Sequence, residues 1–238
     1  SNPLGLSVNL IANRLNYPLN SVYRIMTTLE RRKYVSKQSG ESVFVLSEKL
    51  LKLATPVAGE PAFIETALPK MRSLRDSSQE TVLAGVLVGE EGVVLEQVEG
   101  LHSFSFRVNP GLRFPLHTAA PGKIFLSQLE PKRRTSMIGK LKLTKFTSKT
   151  IISKEGLEEE IQKVLDLGYA IDYEEEIKGQ ACIGAPVFGR NAKLAGSIWL
   201  VAPTSRLPKK KVPDVASMVM KSADEISLAL GNQFLRVA

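Results

Sequence analysis

Two groups of side chains in this chain could do chemistry. The first is Ser21, Tyr23, Arg24, Thr27, Thr28 and Arg31, which share one face if residues 18–32 form a helix. Short hydroxyls, a phenol and guanidiniums suit a phosphate-lined groove, where cations anchor and small polar groups reach base edges. The only acid in the segment is Glu30, near its end. The second group is His117, Asp172 and Cys182. These could in principle make a Cys-His-Asp nucleophile set or a metal site. Their spacing matches no H-E-x-x-H, C-x-x-C or G-x-S-x-G pattern, and no Gly-rich phosphate loop is present. Isolated His and Cys residues in a mixed domain are usually structural. The chain is therefore read as no enzyme, with no metal and no cofactor.

The first group needs a helix to present it. Val22, Ile25, Met26 and Leu29 fall at i, i+3, i+4 and i+7 and predict the buried face. A shorter helical pattern precedes it, with Ser7 as N-cap and Leu10, Ile11 and Leu15 as its stripe. Residues 16–18 break the pattern, since Pro18 disfavours helix before it and starts one well. After it, β-prone runs at 34–37 and 42–46 flank a Gly-containing turn and predict a hairpin. Helix, turn, basic-faced helix and hairpin describe a winged helix-turn-helix. Asn20 joins the DNA-facing residues of the helix, and Lys37 meets the backbone from the wing. An ordinary amphipathic surface helix is the alternative for this segment taken alone.

Charge supports the first reading. Of a net +8, residues 1–55 hold eight cations against Glu30, Glu41 and Glu48, a balance of +5, and +3 remains for the rest. A basic small domain beside a near-neutral large one suggests a polyanion partner. The 238 residues suffice for two domains. The single Cys182 excludes an internal disulfide framework. No apolar run approaches the roughly 18 residues of a membrane span, and no secretory signal is visible, so the chain reads as cytoplasmic. Residues 47–54 predict an amphipathic linker helix, and Thr55–Pro61, with two prolines and a glycine, the domain boundary. The expected division is 1–46 for DNA binding, 47–61 for linker and hinge, and 62–238 for the second domain. Leu50, Leu51 and Leu53 of the linker either form a dimer seam or pack within their own domain.

The second domain reads as α+β with an antiparallel sheet. A helix is expected from Phe63 to Arg75, kinked or broken at Pro69. Strands are expected at 81–88, 92–98, 104–108, 169–173, 181–188 and 194–201. Pro115–Ser127 is expected to be a loop running into a helix, and further helices are expected at 131–141, at 155–167 between a Ser153 N-cap and a Gly168 C-cap, and at 212–230. Glu174–Glu176 reads as a solvated turn or the entrance to a loop, and Lys209–Lys211 as a solvated loop, with contact to DNA or a partner as the alternative.

The sequence resembles the IclR (isocitrate lyase regulator) family of bacterial transcription factors over nearly its whole length. The resemblance is carried by Asn20–Arg24, Pro115–His117 with Gly122 and Lys123, Leu143–Thr147 with Thr150 and Ile151, and Gly168–Glu176. Gly179, Cys182, Ala185–Val187 and Gly231 complete it. It implies a winged helix-turn-helix, a linker helix and a GAF-like effector domain whose curved antiparallel sheet surrounds a small-molecule pocket. It implies homodimers or dimers of dimers on palindromic double-stranded DNA operators, and repression of a catabolic operon in response to a small organic acid. A sensor or scaffold module that kept the fold without specific DNA binding is the alternative. Family members also carry one more helix before the position of Leu6, so an upstream extension is expected.

By this analogy the effector meets Phe114, Ala120, Pro121, Gly122, Lys123, Asp172, Cys182, Trp199 and Val201. Backbone N–H groups around Gly122 and Lys123, at a helix start, would anchor a carboxylate. Three residues depart from the family pattern. Pro121 offers no N–H, and Trp199 and Val201 replace expected small hydroxyl residues. They favour a larger or less polar ligand, or a shallower pocket; Trp199 could instead be plain core. Asp172 cannot pair with an ionised carboxylate, which favours a hydroxylated acid.

Overall fold

The structure is a computed structural model that describes residues 5–37, 43–47 and 62–232. The chain divides into two compact units, Ser1–Val57 and Ala58–Ala238.

In the first unit, β1 (Leu6–Ser7) leads into α1 (Val8–Leu15), α2 (Leu19–Arg31), β2 (Val35–Lys37) and β3 (Val43–Leu46). The Ser7 hydroxyl accepts the Leu10 N–H at 3.3 Å and caps α1. Asn16 ends α1 in the left-handed conformation, and the Pro18 carbonyl accepts the first N–H groups of α2. The wing has three strands, β1-β3-β2, because Leu6 and Ser7 pair with Phe44 and Val43. Val8, Ala12, Val22, Met26, Val35 and Phe44 form the core. The expected stripes need correction here. Leu10, Leu15 and Ile25 are 45%, 65% and 51% exposed. The face of α1 that packs is Val8, Ile11 and Ala12, where the small Ala12 admits close approach to α2. The expected linker helix, with Leu50, Leu51 and Leu53, and the turn of the wing lie outside the described residues.

The second unit contains α3 (Phe63–Ser78), β4 (Thr81–Val88), β5 (Glu91–Val98), β6 (Arg113–Phe114) and α4 (Ala120–Ser127). It continues with α5 (Pro131–Lys140), α6 (Lys154–Leu167), β7 (Ala170–Tyr173), β8 (Gln180–Phe188), β9 (Leu194–Pro203) and α7 (Val212–Ala229). The strands form one curled antiparallel sheet, β6-β5-β4-β9-β8-β7, with register shifts at Ala84/Gly85 and Val187/Phe188. Alternation sorts each strand between two cores. Val82, Ala84, Ile183, Ala185, Ile198 and Leu200 pack with Phe63, Ala67 and Met71 of α3 and with Val219 and Ile226 of α7. Leu83, Cys182, Trp199 and Val201 pack with Ile124 and Phe125 of α4 and with Leu157 and Ile161 of α6.

Two expectations fail in this unit. The break allowed for at Pro69 does not occur, and helix α3 continues through it to Ser78. Pro69 lies on its exposed side, so the carbonyl that Pro cannot bond faces water. The run 104–108 is no strand. Side chains satisfy its backbone instead: the Thr81 hydroxyl donates to the Phe106 carbonyl at 2.9 Å, and the Val108 N–H donates to the Gln97 side chain at 2.5 Å. On the side of β5 away from β4, the strand that pairs with it is Arg113–Phe114.

Gly122 fixes where α4 sits. A Cβ there would lie 2.5 Å from Leu116 Cα and 2.6 Å from its carbonyl oxygen. Gly122→Ala is expected to destabilise the fold by about 1–3 kcal/mol through this overlap, against at most about 1 kcal/mol gained in helix propensity. The measurement is a denaturant midpoint, and an unchanged or higher midpoint would show that α4 moves freely.

Candidate functional site

Helix α2 presents Asn20, Tyr23, Arg24, Thr27, Thr28 and Arg31 to solvent, with Ser21 half-buried; Lys37 is exposed at the end of β2. A concavity of about 270 Å³ brings Asn20, Tyr23 and Lys37 together with Ser7 and Asn9 at the start of α1. Helix starts beside a lysine form an anion-attracting surface. The Thr27 and Thr28 hydroxyls donate to the carbonyls of Tyr23 and Arg24, each at 2.9 Å. In this rotamer they offer a groove lone pairs rather than donors. Arg24 and Arg31 stand seven residues apart, about two turns, on one exposed side of the helix.

In the second unit, a cavity of about 120 Å³ opens on the α4 side of the sheet. Leu83, Val94, Phe106, Val108, Phe114, Ala119, Pro121, Trp199 and Val201 give it apolar walls; Asp172, Glu176, Gln180 and Cys182 are its polar groups. Phe114 meets Trp199 edge-to-face at 5.5 Å between centroids. Trp199 is thus both core and cavity wall. Of the residues named from sequence, Phe114, Pro121, Asp172, Cys182, Trp199 and Val201 border the cavity. Ala120, Gly122 and Lys123 do not; they are buried inside α4. The Lys123 N–H donates to the Ala119 carbonyl within the helix, so it is committed there rather than facing the cavity.

The Lys123 side chain turns the other way and is fully buried. Its ammonium donates to the Ile171 carbonyl at 2.7 Å, to Glu175 at 2.5 Å and to Glu160 at 3.5 Å. The acidic run is therefore not a solvated turn. Glu174 takes a left-handed backbone (φ 65°) and pairs with Lys149, which rotates Glu175 inward. The Glu175 N–H donates to Asp172 at 2.8 Å. Glu176 accepts from the Thr118 hydroxyl at 3.3 Å and borders the cavity. Sequence reading missed Glu175, Glu176 and the Lys123 amine. The only signal was three acids directly after a strand.

Burial pushes the Asp172 carboxyl up to about 6, against the Glu175 N–H and the Lys123 charge. Burial likewise pushes Glu175 up to about 7, although Lys123 touches it. The Cys182 thiol is raised well above its ordinary value by burial, which keeps it protonated. His117 is buried, stacks on Phe146 at 5.9 Å and donates from Nε2 to the Thr144 carbonyl at 3.0 Å. Burial lowers its pKa, so the ring is neutral. Among the described residues no group of three or more His, Cys, Asp or Glu could hold a metal ion, and no helix is long and apolar enough to cross a membrane.

Asp172 holds its proton more tightly folded than unfolded, where its ordinary value is 3.8. Its contribution to stability is fully present below that value and is lost as pH rises through about 6. The thermal midpoint of the wild type, measured relative to Asp172→Asn, is expected to fall as pH rises from about 4 to about 6. Parallel profiles would show that the carboxyl titrates alike in both states.

Comparison with known proteins gives both units counterparts. The C-terminal model of the bacterial transcriptional regulator IclR matches residues 58–228, and the IclR helix-turn-helix model matches residues 1–39. The transcriptional repressor IclR of Escherichia coli is 27% identical, with 93% of this chain and 81% of that protein covered. The crystal structure of the Thermotoga maritima IclR is 26% identical, with a TM-score of 0.76 and coverage of 97% of this chain and 93% of that one. The fold is also that of an IclR homologue from Microbacterium hydrocarbonoxydans solved with 4-hydroxybenzoate, at a TM-score of 0.80, 18% identity and coverage of 95% and 92%. With a basic-faced recognition helix in one unit, a cavity in the other and family models matching both, this chain belongs to the IclR family of bacterial transcriptional regulators.

Proposed function

We propose that the chain represses a catabolic operon by binding a palindromic operator as a dimer or dimer of dimers, and that a small molecule in the second-unit cavity controls it. The observation that carries this reading is the exposed α2 face, with Arg24, Arg31 and Tyr23 accessible and no acid among its groove-facing residues. Residues 1–46 serve DNA binding, 47–61 the linker and 62–238 effector binding. Asn20, Ser21 and Tyr23 read bases, with Thr27 and Thr28 as acceptors; Arg24, Arg31 and Lys37 hold phosphates. The setting is the cytoplasm, where the operator is.

The family resemblance implies an organic acid, and the Microbacterium relative was solved with 4-hydroxybenzoate. In this cavity such a molecule enters hydroxyl first, donating to Asp172, because its carboxylate finds no lysine, arginine or histidine among the described lining residues.

Arg24→Ala is expected to weaken binding to DNA from the chain's own upstream region across sequences, and to lower the salt slope by about one. Anisotropy titrations at several salt concentrations measure both. An unchanged affinity would remove α2 from the groove and favour a sensor module without specific DNA binding. One recognition helix reads few base pairs, so protected half-sites are expected about 10 base pairs apart or a multiple of that. A monomer by sedimentation at micromolar concentration would rule out the dimer.

A further inference from the structure

We propose that the surface formed by residues 131–154 of the second unit is a further DNA contact, one that holds duplex phosphates without reading sequence. The segment carries Lys132, Arg133, Arg134, Lys140, Lys142, Lys145, Lys149 and Lys154 and no acid. Its charge of +8 equals that of the whole chain. Residues 56–238 net only +3, so what remains of them outside this segment nets −5. The cations are thus gathered into one stretch of an otherwise acidic unit, which gives it a local positive field that the net charge conceals.

The fold displays them. Helix α5 turns Met137 and Ile138 into the core, and Arg134, on the same side, donates to the Ser127 carbonyl at 3.3 Å. Lys132, Arg133 and Lys140 are left on its exposed side. Lys132 and Lys140 stand about 12 Å apart along the axis, the rise of roughly three or four phosphates on one strand. The path after the helix is pinned. His117 donates to the Thr144 carbonyl, the Thr150 hydroxyl accepts the N–H groups of Phe146 and Thr147, and the Lys154 ammonium returns to the Gly139 carbonyl at 2.8 Å. Lys142 and Lys145 therefore project from a fixed backbone, which lowers the ordering cost of a contact. Lys140 pairs with Glu90 and Lys149 with Glu174. Among the described residues no ion pair engages Lys132, Arg133, Lys142 or Lys145. Thr135, Ser136, Thr144 and Ser148 are exposed between these cations. Cations interleaved with short hydroxyls are the side chains that meet phosphate oxygens. A regulator that already holds a duplex also meets this second contact at high effective concentration, which favours DNA over an acidic polypeptide.

The test is fluorescence anisotropy on the full chain with a random-sequence duplex at several salt concentrations. The fourfold variant Lys132→Gln, Arg133→Gln, Lys142→Gln, Lys145→Gln is expected to lower the salt slope by about three to four and the low-salt affinity by about tenfold or more. The pair Lys132→Gln, Arg133→Gln, on the outer side of α5, should lower the slope by about two and serves where the fourfold variant is unstable. Lys178, Lys193 and Lys221, exposed cations of the same unit outside the segment, are changed to glutamine as a control for net charge and should leave the slope nearly unchanged. An unchanged slope in the fourfold variant, or an equal loss per charge in the control, overturns the proposal. If polyglutamate binds the wild type but not the fourfold variant while the duplex slope stays the same, the surface takes an acidic polypeptide and the proposal is also overturned. The Arg24→Ala, Arg31→Ala background separates this surface from α2. Residual duplex binding that the fourfold change then removes supports the proposal. Loss of all duplex binding in that background alone overturns it and leaves the role of α2 standing.

Discussion

The ammonium of Lys123 has no route to water, and a charge so placed persists only when its partners converge on it. Three elements supply them. The Ile171 carbonyl comes from β7, Glu175 from the turn after it, and Glu160 from α6. Helix α4, which carries Lys123, is thereby tied to the sheet edge and to the helix beside it. The turn that delivers Glu175 is itself held. The Thr147 hydroxyl donates to the Glu174 carbonyl and the Thr150 hydroxyl to the Glu175 carbonyl, each at 2.6 Å. Thr150 also accepts the N–H groups of Phe146 and Thr147. The threonine-rich segment 143–150 is thus a clasp on the acidic turn.

The sheet serves two cores at once, and this sets where a cavity can form. One face is filled by α3 and α7 along its length. The other is covered by α4 and α6 over only part of its area, with the irregular run 104–108 closing the remainder. That run is fastened from outside the ladder. Thr81 bonds both Gly100 and Phe106, and the Arg206 guanidinium bridges Glu80 and the Phe104 carbonyl. Phe106 and Val108, two residues apart along this irregular path, both reach the cavity.

A ligand changes the behaviour of such a protein only through a difference in affinity between two arrangements. The cavity is suited to produce one. Asp172 borders it and also accepts the Glu175 N–H, and Glu175 holds Lys123. A charge entering the cavity therefore acts on a network that already fixes α4, β7 and the acidic turn.

Periodicity and capping carried the element plan. Ser7, Ser153 and Gly168 cap where their types demand, and strands β4, β5, β8 and β9 lie where alternating apolar runs put them. The basic face of α2 was legible for the same reason: a period of 3.6 separates Val22 and Met26 from Arg24 and Arg31 without reference to anything distant. Of the six cavity residues named by family analogy, Asp172 and Cys182 fall on motifs that carry the resemblance, whereas Phe114, Pro121, Trp199 and Val201 lie outside those motifs. What sequence could not supply was decided by contacts between segments far apart. Ile25 and Leu10 have the right spacing but no neighbour among the described residues that buries them, whereas Ala12 does. The run 104–108 has strand propensity, but side chains of Thr81 and Gln97 claim its backbone groups. Lys123 and Glu175 look like solvent residues because charge alone predicts exposure. Only the folded chain, by bringing residues 123, 171 and 175 within hydrogen-bond reach, makes burying that charge affordable and turns an acidic turn into part of the core.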